Sequence, residues 1–356
     1  MTQKVSRAGA AAGLAVASAV SAAAIGLAAQ RRAARAILRR PDPEAGENFD
    51  EAFGDEITVV TDDGVHLAVE VIEPTAPNAD GLTIVFTHGY ALDRTTFHYQ
   101  ARDLRNIARL VTWDQRGHGA SGQGPTDGYT IQRLGRDLEE VIESVAPRGP
   151  VILVGHSMGG MEVMQLAATC PDLFGDRVVG VALLATAADH GERDQLAIAG
   201  PIGQVVHRIG PSVAQFLTPR PYIVEQSLRY ANDFVVVLTE HYGFGSTAPP
   251  SMVEHTKSMH ARTSIDVLVA LLPMFDKVDM RKVFAPMQRT EVVIVVGETD
   301  RMAPVSLSRE LLKLLPGADL VTLADTGHML MMERYADVNQ VIRDLVIRVR
   351  RGLSAA

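Results

Sequence analysis

Val151-Ile152-Leu153-Val154-Gly155-His156-Ser157-Met158-Gly159-Gly160 is the stretch whose reading decides the fold. Four apolar residues, β-branched or leucine, read as a buried strand. Met161-Glu162-Val163-Met164-Gln165-Leu166 then reads as a helix. Between them stands G-x-S-x-G. A strand that turns sharply into a helix at a serine leaves the hydroxyl proud of the sheet, over a helix N-terminus. Glycines two before and two after the serine let the chain fold tightly there.

A serine hydroxyl is a poor nucleophile until a base takes its proton, so the reading requires a histidine and an acid that orients it. On a strand-turn-helix scaffold of this kind they follow in the order serine, acid, histidine. Glu291 to Val296 reads as a strand, and the loop Gly297 to Pro304 after it carries Asp300. Asp319 to Ala324 reads as the next strand, and Asp325-Thr326-Gly327-His328 follows it. Each candidate lies just past the carboxyl end of a strand, where open α/β sheets place their chemistry. Ser157 is therefore expected as nucleophile, Asp300 as orienting acid and His328 as general base and acid. Glu298, Asp325 and Asp189 compete for the acid's place. Asp325 shares a loop with His328 and suits turn capping instead. A tetrahedral oxyanion needs preorganised donors. These are expected from the N–H groups of Met158 and Tyr90, the latter in the loop His88-Gly89-Tyr90 after the strand Leu82 to Thr87. A plain strand-ending turn is the alternative for that loop.

Together these residues resemble the α/β-hydrolase family over Phe53 to Leu353. The matching parts are His88-Gly89, Asp114-Gln115-Arg116-Gly117-His118-Gly119-Ala120-Ser121-Gly122, Gly155 to Gly160, the Asp300 loop and Gly327-His328. His156 and Met158 with Gly159-Gly160 look most like the monoglyceride lipase, lysophospholipase and carboxylesterase branches. A serine stands where epoxide hydrolases and haloalkane dehalogenases carry aspartate. His156 stands where meta-cleavage C–C hydrolases usually carry asparagine. The resemblance implies a mostly parallel sheet with helices on both faces and a helical cap. It also implies cleavage of carboxylic esters with apolar groups, lipid-derived or otherwise, through an acyl-enzyme. C–C bond hydrolysis, thioester hydrolysis and perhydrolysis use the same triad. A non-catalytic binding module is the remote alternative.

Gly117 to Gly122 also fits G-x-G-x-x-G, but a dinucleotide site needs a helix opening there, and Gln123-Gly124-Pro125 breaks the chain instead. The loop is expected to buttress the site, with Asp114 and Arg116 structural. His255 and His260 are five apart, on different faces of a helix, and no metal is expected. Cys170 is the single cysteine, which excludes an internal disulfide. No cofactor is implied.

Charge is uneven along the 356 residues. Lys4, Arg7, Arg31, Arg32, Arg35, Arg39 and Arg40 with no acid give residues 1–40 a charge of +7, leaving −15 of the total −8 to the remainder. So acidic a domain is a poor nucleic-acid binder; the resemblance implies a small-molecule ester or lipid as partner. Ala8 to Ala29 carries no charge over 22 residues, twelve of them alanine. Three readings compete for it: a membrane anchor, a cleaved signal peptide, and a helix lying on the membrane or on the protein. The anchor is the reading expected, and it makes the protein membrane-associated with the catalytic domain facing the cytoplasm. Residues 41–52 read as a linker, 53–186 and 287–356 as the core, and 187–286 as the cap, whose Phe216, Phe244, Met259 and Phe275 are among its large apolar side chains. Oligomeric state has no signal in the sequence.

Overall fold

The structure is a computed structural model that describes residues 28–76, 81–188, 233–245, 247–277, 280 and 284–355. Among them the sheet has eight strands: β1 (Asp55–Val60), β2 (His66–Ile72), β3 (Thr83–Thr87), β4 (Arg109–Trp113), β5 (Val151–His156), β6 (Val178–Leu184), β7 (Glu291–Gly297) and β8 (Asp319–Leu323). Their order across the sheet is β1-β2-β4-β3-β5-β6-β7-β8. β1 and β2 form an antiparallel hairpin around Gly64, and β2 pairs antiparallel with β4; all other pairs are parallel.

Alternate residues of the inner strands feed two cores, one on each face. Val85, Val111, Leu153 and Ile294 pack with Leu134, Leu138 and Val141 of helix α3 and with Val163 of α4, α1 being the helix over 28–38 and α2 His98–Leu104. Here α3 is Ile131–Val145 and α4 is Met158–Thr169. Ile84, Phe86, Ile152, Val154 and Val295 face the other way, against Ile342, Leu345 and Val349 of the last helix, Tyr335–Ala355. Burial on both faces explains why β3 and β5 read as unbroken apolar runs rather than alternating ones.

Between β6 and β7 the described chain is helical: α5 (Pro250–Arg262) and α6 (Ile265–Lys277) follow a shorter helix over 233–238. Residues 189–232 of the expected cap, with Asp189 and Phe216, lie outside the described residues. Val305–Leu314 (α7) and Tyr335–Ala355 (α8) complete the layer around β7 and β8.

The expected membrane location is corrected. Among the described residues no helix is long and apolar enough to cross a membrane. Residues 8–27 of the proposed anchor lie outside the described residues. Its last residues, Ala28 and Ala29, open α1. That helix carries Arg31, Arg32 and Arg35 and buries Ala34 and Ile37 in the core shared with Phe49 and Tyr99. Its apolar face is thus covered by the protein itself.

Candidate active site

The strand order places the site. From β3 the chain crosses to β4 on one side and then to β5 on the other, so β3 and β5 are neighbours at the point where the winding reverses, the usual place for a crevice. Their register sets Thr87 beside Gly155, which brings His88-Gly89 level with His156-Ser157. On the far side of β5, His156 pairs with Leu184, and Leu184 with Val295, so the loops after β6 and β7 open at the same edge.

Ser157 has φ +53 and ψ −116, a conformation that costs a non-glycine residue about 1–3 kcal/mol. The strain is held from both sides: Ser157 N–H donates to the Leu184 carbonyl (2.9 Å), and the Thr186 hydroxyl donates to the Ser157 carbonyl (2.7 Å). A side chain on Gly159 would collide with the Thr87 carbonyl, so α4 can start this close to β3 only with glycine there.

His328 Nδ1 lies 2.9 Å from Asp300 Oδ2, and both residues are 5% exposed. Asp300 Oδ1 accepts the N–H groups of Met302 and Ala303, each at 2.8 Å. This turn aims the second oxygen at the imidazole. Facing a carboxylate, Nδ1 carries the ring proton and Nε2 keeps its lone pair. Of the carboxylates weighed from sequence that lie among the described residues, Asp300 is the one that reaches His328; Glu298 is exposed, and Asp325 sits in the turn with φ +51. The two loops are tied by Thr299, whose N–H and hydroxyl both donate to the Thr326 carbonyl at 3.0 Å. Glu333 accepts the N–H of Gly327 (2.7 Å) and of Gly245.

His156 is fully buried. Its Nε2–H donates to the His328 carbonyl (3.1 Å), and burial first, then the nearby His328, hold its pKa well below the usual histidine value. A Cβ on Gly89 would stand 2.9 Å from His156 Nδ1 and 3.2 Å from Ser157 Cβ, which measures how closely the Gly89 backbone approaches the serine. The N–H of Met158 is the first of α4, and that of Tyr90 follows Gly89; neither is taken by an acceptor among the described residues. The Tyr90 ring turns away, donating its hydroxyl to the Leu268 carbonyl of α6 (2.8 Å) and meeting Phe275 edge to face.

The structure therefore brings Ser157, His328, Asp300, Tyr90, Met158, His88 and Gly89 to one edge of the sheet. Sequence reasoning named His156 beside the candidate nucleophile but missed its hold on the His328 backbone, and it missed Thr186 and Glu333. Thr186 had a signal, since it too follows the carboxyl end of a strand. The hold of His156 and the role of Glu333 had none.

A family model described as the alpha/beta hydrolase family matches residues 84–341. The chain belongs to that family. The hydrolase is similar to the AB hydrolase superfamily protein YisY of Bacillus subtilis, 25% identical over 285 residues that cover 80% of this chain and 96% of that relative. It is also similar to the sn-1-specific diacylglycerol lipase ABHD11 of Mus musculus, 25% identical over 71% of this chain and 77% of the lipase. Among solved structures, an esterase from Exiguobacterium antarcticum shares the fold with a TM-score of 0.64 at 18% identity, covering 82% of this chain and 99% of the esterase. A thermophilic esterase from Thermogutta terrifontis does so with a TM-score of 0.61 at 24% identity, over 83% and 99%.

Proposed function

We propose that this hydrolase cleaves carboxylic esters with an apolar acyl or alcohol part, with Ser157, His328 and Asp300 as its triad. The observation that carries the reading is the buried His328–Asp300 bond of 2.9 Å, with the other Asp300 oxygen locked by two backbone N–H groups. It supports a ring held with Nε2 unprotonated, the form in which a histidine can accept a proton from a serine. Ser157 Oγ attacks the ester carbonyl carbon while His328 Nε2 takes its proton. The N–H groups of Tyr90 and Met158 hold the oxyanion. Collapse breaks the C–O bond, and His328 returns the proton to the departing alcohol. A water then attacks the acyl-enzyme with His328 again as base, releasing the acid and restoring Ser157.

Residues 187–286 act in this reading as a cap over the site on the core of 53–186 and 287–356. The Tyr90 bond to Leu268 supports it, since it ties α6 to the loop that carries an oxyanion donor. A fluorophosphonate probe tests the reading directly: wild type is labelled and Ser157→Ala is not. An unlabelled wild type overturns it. A panel of p-nitrophenyl esters of increasing chain length, acyl-thioesters and vinylogous diketones then names the substrate class; turnover confined to diketones or thioesters overturns the ester assignment.

A further inference from the structure

The loop 114–122, which the dinucleotide reading does not fit, lies against the loop that carries Tyr90. Three hydrogen bonds join them: Gln115 N–H to His88 Nε2 (3.0 Å), the Gln115 side-chain amide to the His88 carbonyl, and Ala91 N–H to His118 Nε2 (3.3 Å). In two of these an imidazole accepts from a main-chain N–H. An N–H cannot accept, so each ring carries its proton on Nδ1. Each Nδ1 has a carbonyl to meet: Gly89 at 2.8 Å for His88, Arg116 at 3.1 Å for His118. Both rings are fully buried and lie edge to face, 5.2 Å between centroids. Burial holds both neutral, with pKa values pushed down to about 4 and about 3.

His118 is itself pinned. The fully buried Arg116 guanidinium bonds to Asp137 on α3 and to Asp63 in the β1–β2 hairpin, and Gly117 N–H donates to the Gly122 carbonyl (2.9 Å). Ala91 in turn has φ +59. A residue without glycine's freedom keeps that conformation only where its surroundings over-determine it. The bond to His118 is the tertiary contact at Ala91 N–H, one residue past the Tyr90 N–H.

Resting on the serine hydrolase reading above, we propose that His118 is a positioning residue for the oxyanion loop. Its Nε2 holds Ala91 N–H, and so directs the Tyr90 N–H toward the oxygen that becomes negative when Ser157 attacks. Glutamine places an acceptor oxygen where Nε2 stands. Asparagine reaches only as far as Nδ1 and leaves Ala91 N–H without a partner.

The test uses the full chain with p-nitrophenyl esters and a boronic acid that mimics the tetrahedral intermediate. His118→Asn is expected to lose roughly tenfold or more in kcat, short of the loss for a deleted donor, with KM little changed. Its boronate inhibition constant rises by a similar factor, and His118→Gln recovers most of both. A folded His118→Asn with wild-type kcat and boronate affinity overturns the proposal, as does a His118→Gln no better than His118→Asn. Nitrogen NMR of the wild-type rings gives a check that needs no variant: His118 Nε2 unprotonated at neutral pH is expected, and a protonated Nε2 overturns it. A wild type that neither turns over esters nor accepts a fluorophosphonate brings down the hydrolase reading itself, and this inference with it. That outcome is read before any His118 variant is made.

Discussion

The His156 ring donates from Nε2 to the main-chain carbonyl of His328 across 3.1 Å, with ring centroids 4.7 Å apart. The residue before the candidate nucleophile thus carries the backbone of the candidate base. The loop after β8 is thereby joined to the turn after β5 across two intervening strands, β6 and β7.

His156→Phe keeps a ring in that space and removes the donor, leaving the buried His328 carbonyl without its partner. The cost expected is about 1–3 kcal/mol of stability. Ester turnover should fall with it, because the loop that carries His328 is no longer tied to the turn that carries Ser157. Thermal unfolding and steady-state kinetics on the same preparation check it; unchanged values of both would remove His156 from the site.

Asp300→Asn preserves shape but inverts a hydrogen bond. The N–H groups of Met302 and Ala303 require an oxygen, so the amide NH₂ turns toward His328 Nδ1. The imidazole must then carry its proton on Nε2 and cannot accept one from Ser157. A drop of about 10⁴ in kcat with little change in KM is expected, as for the same exchange in other serine triads. Fold is checked by circular dichroism.

Acid should destabilise the protein well above the carboxylate range. His88, His118, His156 and His255 are buried, and desolvation lowers the pKa of each, to about 4 for His88 and His255 and about 3 for His118. The unfolded chain binds these protons near pH 6.5 and the native state does not, so stability rises with pH between about 4 and 6.5 and is lost as pH falls through that window. Each such histidine contributes a slope of up to roughly 1.4 kcal/mol per pH unit. Urea midpoints at pH 7, 6 and 5 should fall in that order, and a flat series would contradict the neutral assignment.

Glu162 acts in the opposite direction. It is fully buried on α4, neither side-chain oxygen has a partner among the described residues, and burial, then the Asp137 charge, push its pKa well above the usual value. Folded Glu162 keeps its proton where the unfolded chain has lost it, so its contribution falls as pH rises above about 4.3. Glu162→Met, of similar length, should stabilise the protein at pH 8 by about 1–3 kcal/mol. Melting temperature at pH 8 against pH 5 reads it, with the larger gain expected at pH 8.

The parts of the site legible in the sequence are those each carried by one short segment. G-x-S-x-G after an apolar run announces the turn at Ser157, and two further strand-loop pairs announce Asp300 and His328. The choice of Asp300 over Glu298 was not legible from spacing, because both stand in one loop. It follows from which carboxylate the Met302 and Ala303 amides capture and turn inward. Absence of charge over a bilayer's length in Ala8 to Ala29 does not by itself make a membrane span: among the described residues no helix is long and apolar enough to cross a membrane, and residues 8–27 lie outside them. Just past that segment, Ala34 and Ile37 pack into the core with Phe49 and Tyr99.

What the sequence determined by itself is the periodicity and order of the elements, and hence the sheet and the three loops that carry the candidate triad. Those depend on local properties: apolar runs, glycine where the backbone needs room, a serine at a strand-to-helix turn. What only the tertiary structure decided is how those loops hold one another. His156 under His328, Thr186 on the Ser157 carbonyl, His118 on Ala91 and Glu333 on Gly245 each pair groups from different loops or turns. A buried hydrogen bond is specified by the meeting of a donor and an acceptor in space, and chain spacing carries no record of that meeting.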